Sequence, residues 1–237
     1  MPDSVPDSRR RFLKTALAGS ALAGAATHSS AVLAADHSAA TAAETASGYV
    51  FLTPSEASFV EALVDHMVPA DRHTAKGSDL HINVYFDRTL NGNWGKGDRL
   101  YLEGPWKKGL PGQGYQLPLT PAELFRAATL AFDAVLRKTH GKPFPELDSA
   151  AKERALQALE RGETDLENGI EARLYFSLLY QLTVEGLFAD PVYGGNAGKA
   201  GWKMVGFPGV IATHTRNIVS FKNKDFPHQT LGIADAS

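Results

Sequence analysis

The sequence predicts a mainly α protein: a single helical domain carrying two long loops rich in Gly, Pro and aromatic residues. Three observations predict it. Thr53-Pro54-Ser55-Glu56 and Thr120-Pro121-Ala122-Glu123 each place a capping threonine, a proline at the first helical position and a glutamate at the third, which opens a helix. Apolar residues then recur at helical spacing through five stretches. No alternation of strand-like and helical runs appears, which argues against a parallel sheet. The chain has 237 residues, 43% hydrophobic and 21% charged, and fits one domain plus extras.

In chain order, the first element is an address. Ser8-Arg9-Arg10-Arg11-Phe12-Leu13-Lys14 precedes an apolar run of Ala, Leu and Gly over residues 15–26, then a polar break and the small residues Ala31-Val32-Leu33-Ala34. A charged start, a short apolar run and a small-residue cleavage site define an export signal. The pair Arg9 and Arg10 followed by Phe12 and Leu13 makes it a twin-arginine signal, with cleavage after Ala34. The run is too short and Ala/Gly-rich for a spanning helix, which needs about 20 apolar residues. Residues 1–34 are therefore read as the signal, 35–49 as a disordered leader of small polar residues, and 50–237 as the domain, with packed structure starting near Phe51. The expected location is the periplasm. The twin-arginine route carries proteins already folded, usually around a cofactor. An economical reading is that a partner needs that route and this chain supplies the signal for both.

Within the domain, Thr53 caps a helix carrying Phe59, Leu63, Val64 and Met67 up to Pro69. A short helix over 80–90 aligns Ile82, Tyr85, Phe86 and Leu90. Residues 91–118 form the first long loop, with Trp94, Tyr101, Trp106 and Tyr115 among glycines and prolines; such loops are usually functional or lie against another surface. Thr120 opens a helix through Lys138. Asp148 or Ser149 caps another through Glu160. The most apolar helix runs from about Glu167 to Phe188 and covers more than one face, so it is central or faces a partner. Asp190-Pro191-Val192-Tyr193-Gly194-Gly195-Asn196, then Trp202 and Gly206-Phe207-Pro208-Gly209, form the second loop region.

Several chemistries are excluded. Without cysteine there is no disulfide, thiolate zinc site, Cys-ligated iron–sulfur cluster or covalent haem. A formal charge of −2 gives no reason to expect nucleic acid or an anionic membrane as partner. Gly194 to Ala200 resembles a phosphate loop, but the spacing is one short, Ala200 has no hydroxyl and a helix precedes it. His66, His73 and His81 match no metal spacing. Asp190 reads as a turn carboxylate; Glu185 and Asp190 as an acid–base pair rest on no geometry. The Trp and Tyr residues suit either a sugar-stacking cleft or the anchors of a protein interface, and the interface is the favoured reading. The chain is thus expected to hold no active site, cofactor or metal of its own.

The string from Gly186-Leu187-Phe188-Ala189-Asp190-Pro191-Val192-Tyr193-Gly194-Gly195-Asn196 through Gly201-Trp202-Lys203 and Gly206-Phe207-Pro208-Gly209 resembles the gluconate 2-dehydrogenase subunit 3 family. So do Gly112-Gln113-Gly114-Tyr115-Gln116, before the second capping box, and the twin-arginine leader. The resemblance covers roughly residues 50–220. It implies the small accessory subunit of a periplasmic dehydrogenase oxidising sugars or sugar acids, gluconate first. FAD would sit in a large partner of the glucose–methanol–choline type and haem c in a multihaem cytochrome subunit, and membrane contact would come only through the complex. The small chain would stabilise the flavoprotein and supply its export signal. Asp190, Tyr193, Asn196 and Trp202 are expected to shape the contact loop, with Trp94, Trp106 and Tyr115 as further anchors. The competing expectation is an autonomous periplasmic carbohydrate-binding or sugar-active protein that uses the same aromatic loops.

Overall fold

A computed structural model describes residues 48–98, 100–107, 109–110, 115–210 and 215–235. The signal with Arg9, Arg10, Phe12 and Leu13, most of the leader, Gly112 to Gly114 and His214 lie outside the described residues. The class is mainly helical, as expected. Seven α-helices occur among the described residues: α1 Pro54–Met67, α2 Ile82–Asn91, α3 Pro121–His140, α4 Ser149–Arg161, α5 Ala172–Phe188, α6 Ala200–Val205 and α7 Thr215–Ser220. Short 3-10 turns lie at Phe144–Glu146, Pro191–Tyr193, Ala197–Lys199 and Ile233–Asp235.

The caps act as the sequence implies. Thr53 and Thr120 each accept from the backbone N–H three residues on, while Glu56 and Glu123 reach back to the threonine N–H. Both boxes thereby satisfy donors that a helix start leaves unpaired. Asp148 caps α4 by accepting from Ala151 N at 2.7 Å. Gly141 and Gly162 end α3 and α4 in the left-handed region.

Helix α5 is central, packing on α2, α3, α4 and α6. It starts at Ala172, not Glu167, because the five preceding residues form a turn. Glu167 and Gly169 have φ of 56° and 79°, and Asp165 and Asn168 accept the N–H groups of Glu167 and Ile170. These bonds compete with helix formation. Helices α6 and α7, in a region read from sequence as irregular, are six residues each, too short for a period to show.

The core is aromatic at its centre. Phe59, Phe132, Phe144 and Tyr175 meet ring to ring at 5.3–6.3 Å, mostly edge-on, a favoured arrangement for ring quadrupoles. Tyr175 is fully buried; its hydroxyl pairs with Thr129 at 2.8 Å, and burial pushes its pKa up. Packing begins at Tyr49, slightly ahead of Phe51: the Tyr49 hydroxyl donates to Glu61 and accepts from Asn83. Beside it, buried Asp87 on α2 accepts the N–H groups of Val50, Phe51 and Leu52 at 2.8–2.9 Å. That one carboxylate ties the chain entering the domain to α2.

Candidate partner-docking site

The segment after α5 is built by three side chains that point inward. Asp190 is buried, and its two oxygens accept from Val192 N at 3.0 Å and Ile233 N at 2.8 Å. Asn196 is fully buried in the left-handed region, φ 50°. Its amide donates to Ala189 O at 2.9 Å and accepts from Gly201 N at 2.8 Å, so one side chain bridges the end of α5 and the start of α6. Trp202 is buried, donates from Nε1 to Phe188 O at 2.6 Å, and meets Phe207 edge-on. The loop lies directly on α5: a Cβ at Gly195 would stand 2.2 Å from Gly186 O, a separation only glycine permits.

The C-terminal residues close over this segment. Ile233 bonds to Asp190, while Lys199 Nζ donates to Thr230 O at 3.3 Å and to the Asp235 carboxylate. Lys199 and the Gly232 N–H hold the Asp235 carboxyl below its usual range. Leu231 bridges Gly209, and Val210 N donates to Leu231 O at 2.8 Å. Residues 230–235 thus form a strap across the loop.

With these groups turned in, the bend presents Val192 and Tyr193 outward, 46% and 57% exposed. They border an open groove of about 490 Å³ with Tyr85, Arg88, Thr89, Trp94 and Glu185. Trp94 is half-buried, its other side against the core. Tyr85 donates to Glu185 at 3.0 Å, and burial, with the Glu185 charge, pushes the phenol up to about 12. The second Glu185 oxygen accepts from Gln181. The groove is aromatic, shallow and uncharged apart from Arg88 and Glu185, which suits docking of an apolar side chain better than proton transfer.

The structure therefore sorts the seven expected interface residues into three groups. Tyr193 and Trp94 share the groove. Trp106 and Tyr115 line a separate hollow of about 740 Å³ against Glu171, Arg173 and Leu174 at the start of α5; Tyr115 donates to Leu119 O at 2.6 Å, and burial pushes its pKa up to about 12. Asp190, Asn196 and Trp202 face inward and shape the loop without offering surface. Val192, Tyr85 and the strap were missed by sequence reasoning; a side chain's facing in an irregular turn has no period to reveal it.

The other candidates separate. Glu185 and Asp190 are each committed to different partners. Lys199, the lysine of the phosphate-loop-like string, is held by the strap. His66 meets Glu153 at 3.0 Å, His73 accepts from Arg72 and His81 precedes α2. Among the described residues, no three His, Asp or Glu side chains gather as metal ligands.

Against this geometry, a family model described as gluconate 2-dehydrogenase subunit 3 matches residues 54–209. No curated protein and no solved structure matches the chain.

Proposed function

The chain belongs to the gluconate 2-dehydrogenase subunit 3 family, and from that premise we propose that it is the small accessory subunit of a periplasmic, FAD-dependent sugar-acid dehydrogenase. It docks on a large flavoprotein of the glucose–methanol–choline type, stabilises it and carries it across the membrane on a twin-arginine signal. In this scheme FAD in the large partner and haem c in a cytochrome subunit would supply the redox chemistry on the sugar acid. This chain's own task is binding and export.

The observation that carries the reading is the inward bracing of the loop by Asp190, Asn196 and Trp202, which holds Val192 and Tyr193 out beside Trp94. Aromatic residues held rigidly at a surface lose little freedom on binding, which is what interface anchors require. Export is tested by changing Arg9 and Arg10 to Lys and fractionating cells that co-express the flavoprotein. The expected result is that both chains stay in the cytoplasm. A flavoprotein that still reaches the periplasm would refute the shared signal.

A further inference from the structure

Beyond the residues that the family model matches, two described segments, one ending at Val210 and one starting at Thr215, meet again at Leu231. Pro208 to Val210 pair with Leu231 through two backbone bonds, 2.8 and 3.2 Å long, so the start and end of the intervening segment are clasped together. Inside it, Phe221 meets Phe226 edge-on at 5.1 Å, and His228 stacks on Phe226 at 5.6 Å. The loop thus packs partly on its own rings. None of residues 215–230 is buried. Ile218 and Val219 on α7 are 70% and 79% exposed.

Charge is segregated in the same place. Residues 215–230 hold Arg216, Lys222 and Lys224 against the single acid Asp225, whereas residues 35–198 hold 15 basic and 22 acidic side chains. These three cations and Asp225 are exposed. The near-neutral total conceals this, and the whole-chain charge used to set aside an anionic membrane is the wrong quantity for a local surface.

We propose that residues 215–230 rest directly on the anionic phospholipid surface of a bilayer, with Ile218 and Val219 entering the headgroup boundary and Arg216, Lys222 and Lys224 meeting lipid phosphates. Two arguments select lipid over a protein face. Protein interfaces are depleted in lysine and use aromatics as anchors, whereas here the lysines are outward and the Phe221 and Phe226 rings pack on each other. Aliphatic side chains flanked by cations are also what an interfacial segment presents. The contact is peripheral, since no helix among the described residues is long and apolar enough to cross a membrane. It adds a direct contact to the one expected through the complex, and it stands without the accessory role.

The test is co-sedimentation of the chain starting at residue 35, which omits the apolar run at 15–26, with vesicles of phosphatidylcholine alone or mixed with phosphatidylglycerol. Binding is expected only to the mixed vesicles, weakening as salt is raised. Lys222→Glu with Lys224→Glu should lower it ~tenfold or more, as should Ile218→Ser with Val219→Ser, with unchanged thermal unfolding. No binding to mixed vesicles, or equal binding by the variants, overturns the proposal. Variants that release the flavoprotein while vesicle binding persists also overturn it and mark the loop as a protein interface. Vesicle binding without any flavoprotein association would instead sink the accessory reading and leave the lipid contact standing.

Discussion

Asn196 and Tyr193 stand three residues apart and do opposite work. Replacing Asn196 by Ala strands the Gly201 N–H and the Ala189 carbonyl and leaves a β-carbon residue at φ 50° without its local hydrogen bonds. The expected loss is about 3 kcal/mol, seen as a lower urea midpoint. Asn196→Asp keeps the acceptor for Gly201 but turns a buried oxygen onto the Ala189 carbonyl, so it should lose at least as much; an unchanged midpoint in both would show that Asn196 does not brace the loop. Tyr193→Ser, at an exposed site, should change stability by no more than ~0.5 kcal/mol yet weaken flavoprotein binding by ~2 kcal/mol in a titration of the purified subunits. Equal loss of stability and binding would mean that Tyr193 holds the loop instead of meeting a partner. Residue types and spacing found this segment, but they grouped Asn196, Trp202 and Asp190 with Tyr193 because a turn-rich string does not say which side chains face in.

Among the elements, the strap is the one with the sharpest consequence. Ending the chain after Gln229 removes Ile233 from Asp190 and Asp235 from Lys199. Amide exchange across the 3-10 turn Pro191–Tyr193 and into α6 should then quicken while α3 and α4 keep their protection; uniform exchange would show that the strap holds nothing. Its ion pair also sets a pH dependence. Asp235 has a carboxyl depressed from 3.8 by Lys199 and the Gly232 N–H. Its contribution is therefore complete above 3.8 and is lost as pH falls through the lower folded value. Strap protection should stay flat from neutral to about pH 4 and fail only below it; a loss at mildly acidic pH, well above the carboxylate range, would contradict the assignment. The helices differ in how far the sequence revealed them. Thr53 and Thr120 fixed the starts of α1 and α3 because capping is local chemistry. The start of α5 slipped by five residues because the apolar pattern runs on through Ile170, while Asp165 and Asn168 take the backbone bonds. The strap left no trace, since Asp190 and Ile233 are 43 residues apart and only the fold joins them.

At the scale of the molecule, a helical body with a closed aromatic core offers two surfaces for the proposed contacts: the Trp94–Tyr193 groove for a protein and residues 215–230 for lipid. Capping boxes and apolar spacing predicted the helical body. The net charge of −2 gives no sign of the proposed lipid surface, because the three cations of residues 215–230 vanish into it. The claim on which the rest depends is that the body docks on a flavoprotein and carries no redox group itself. Co-expression of this chain with the glucose–methanol–choline-type flavoprotein, followed by gel filtration read for flavin absorbance and for both polypeptides, tests it most directly. The account predicts one peak holding both chains and flavin, lost when Val192 and Tyr193 are both changed to Ser. Flavin and flavoprotein eluting apart from this chain, with the wild-type groove intact, would contradict it.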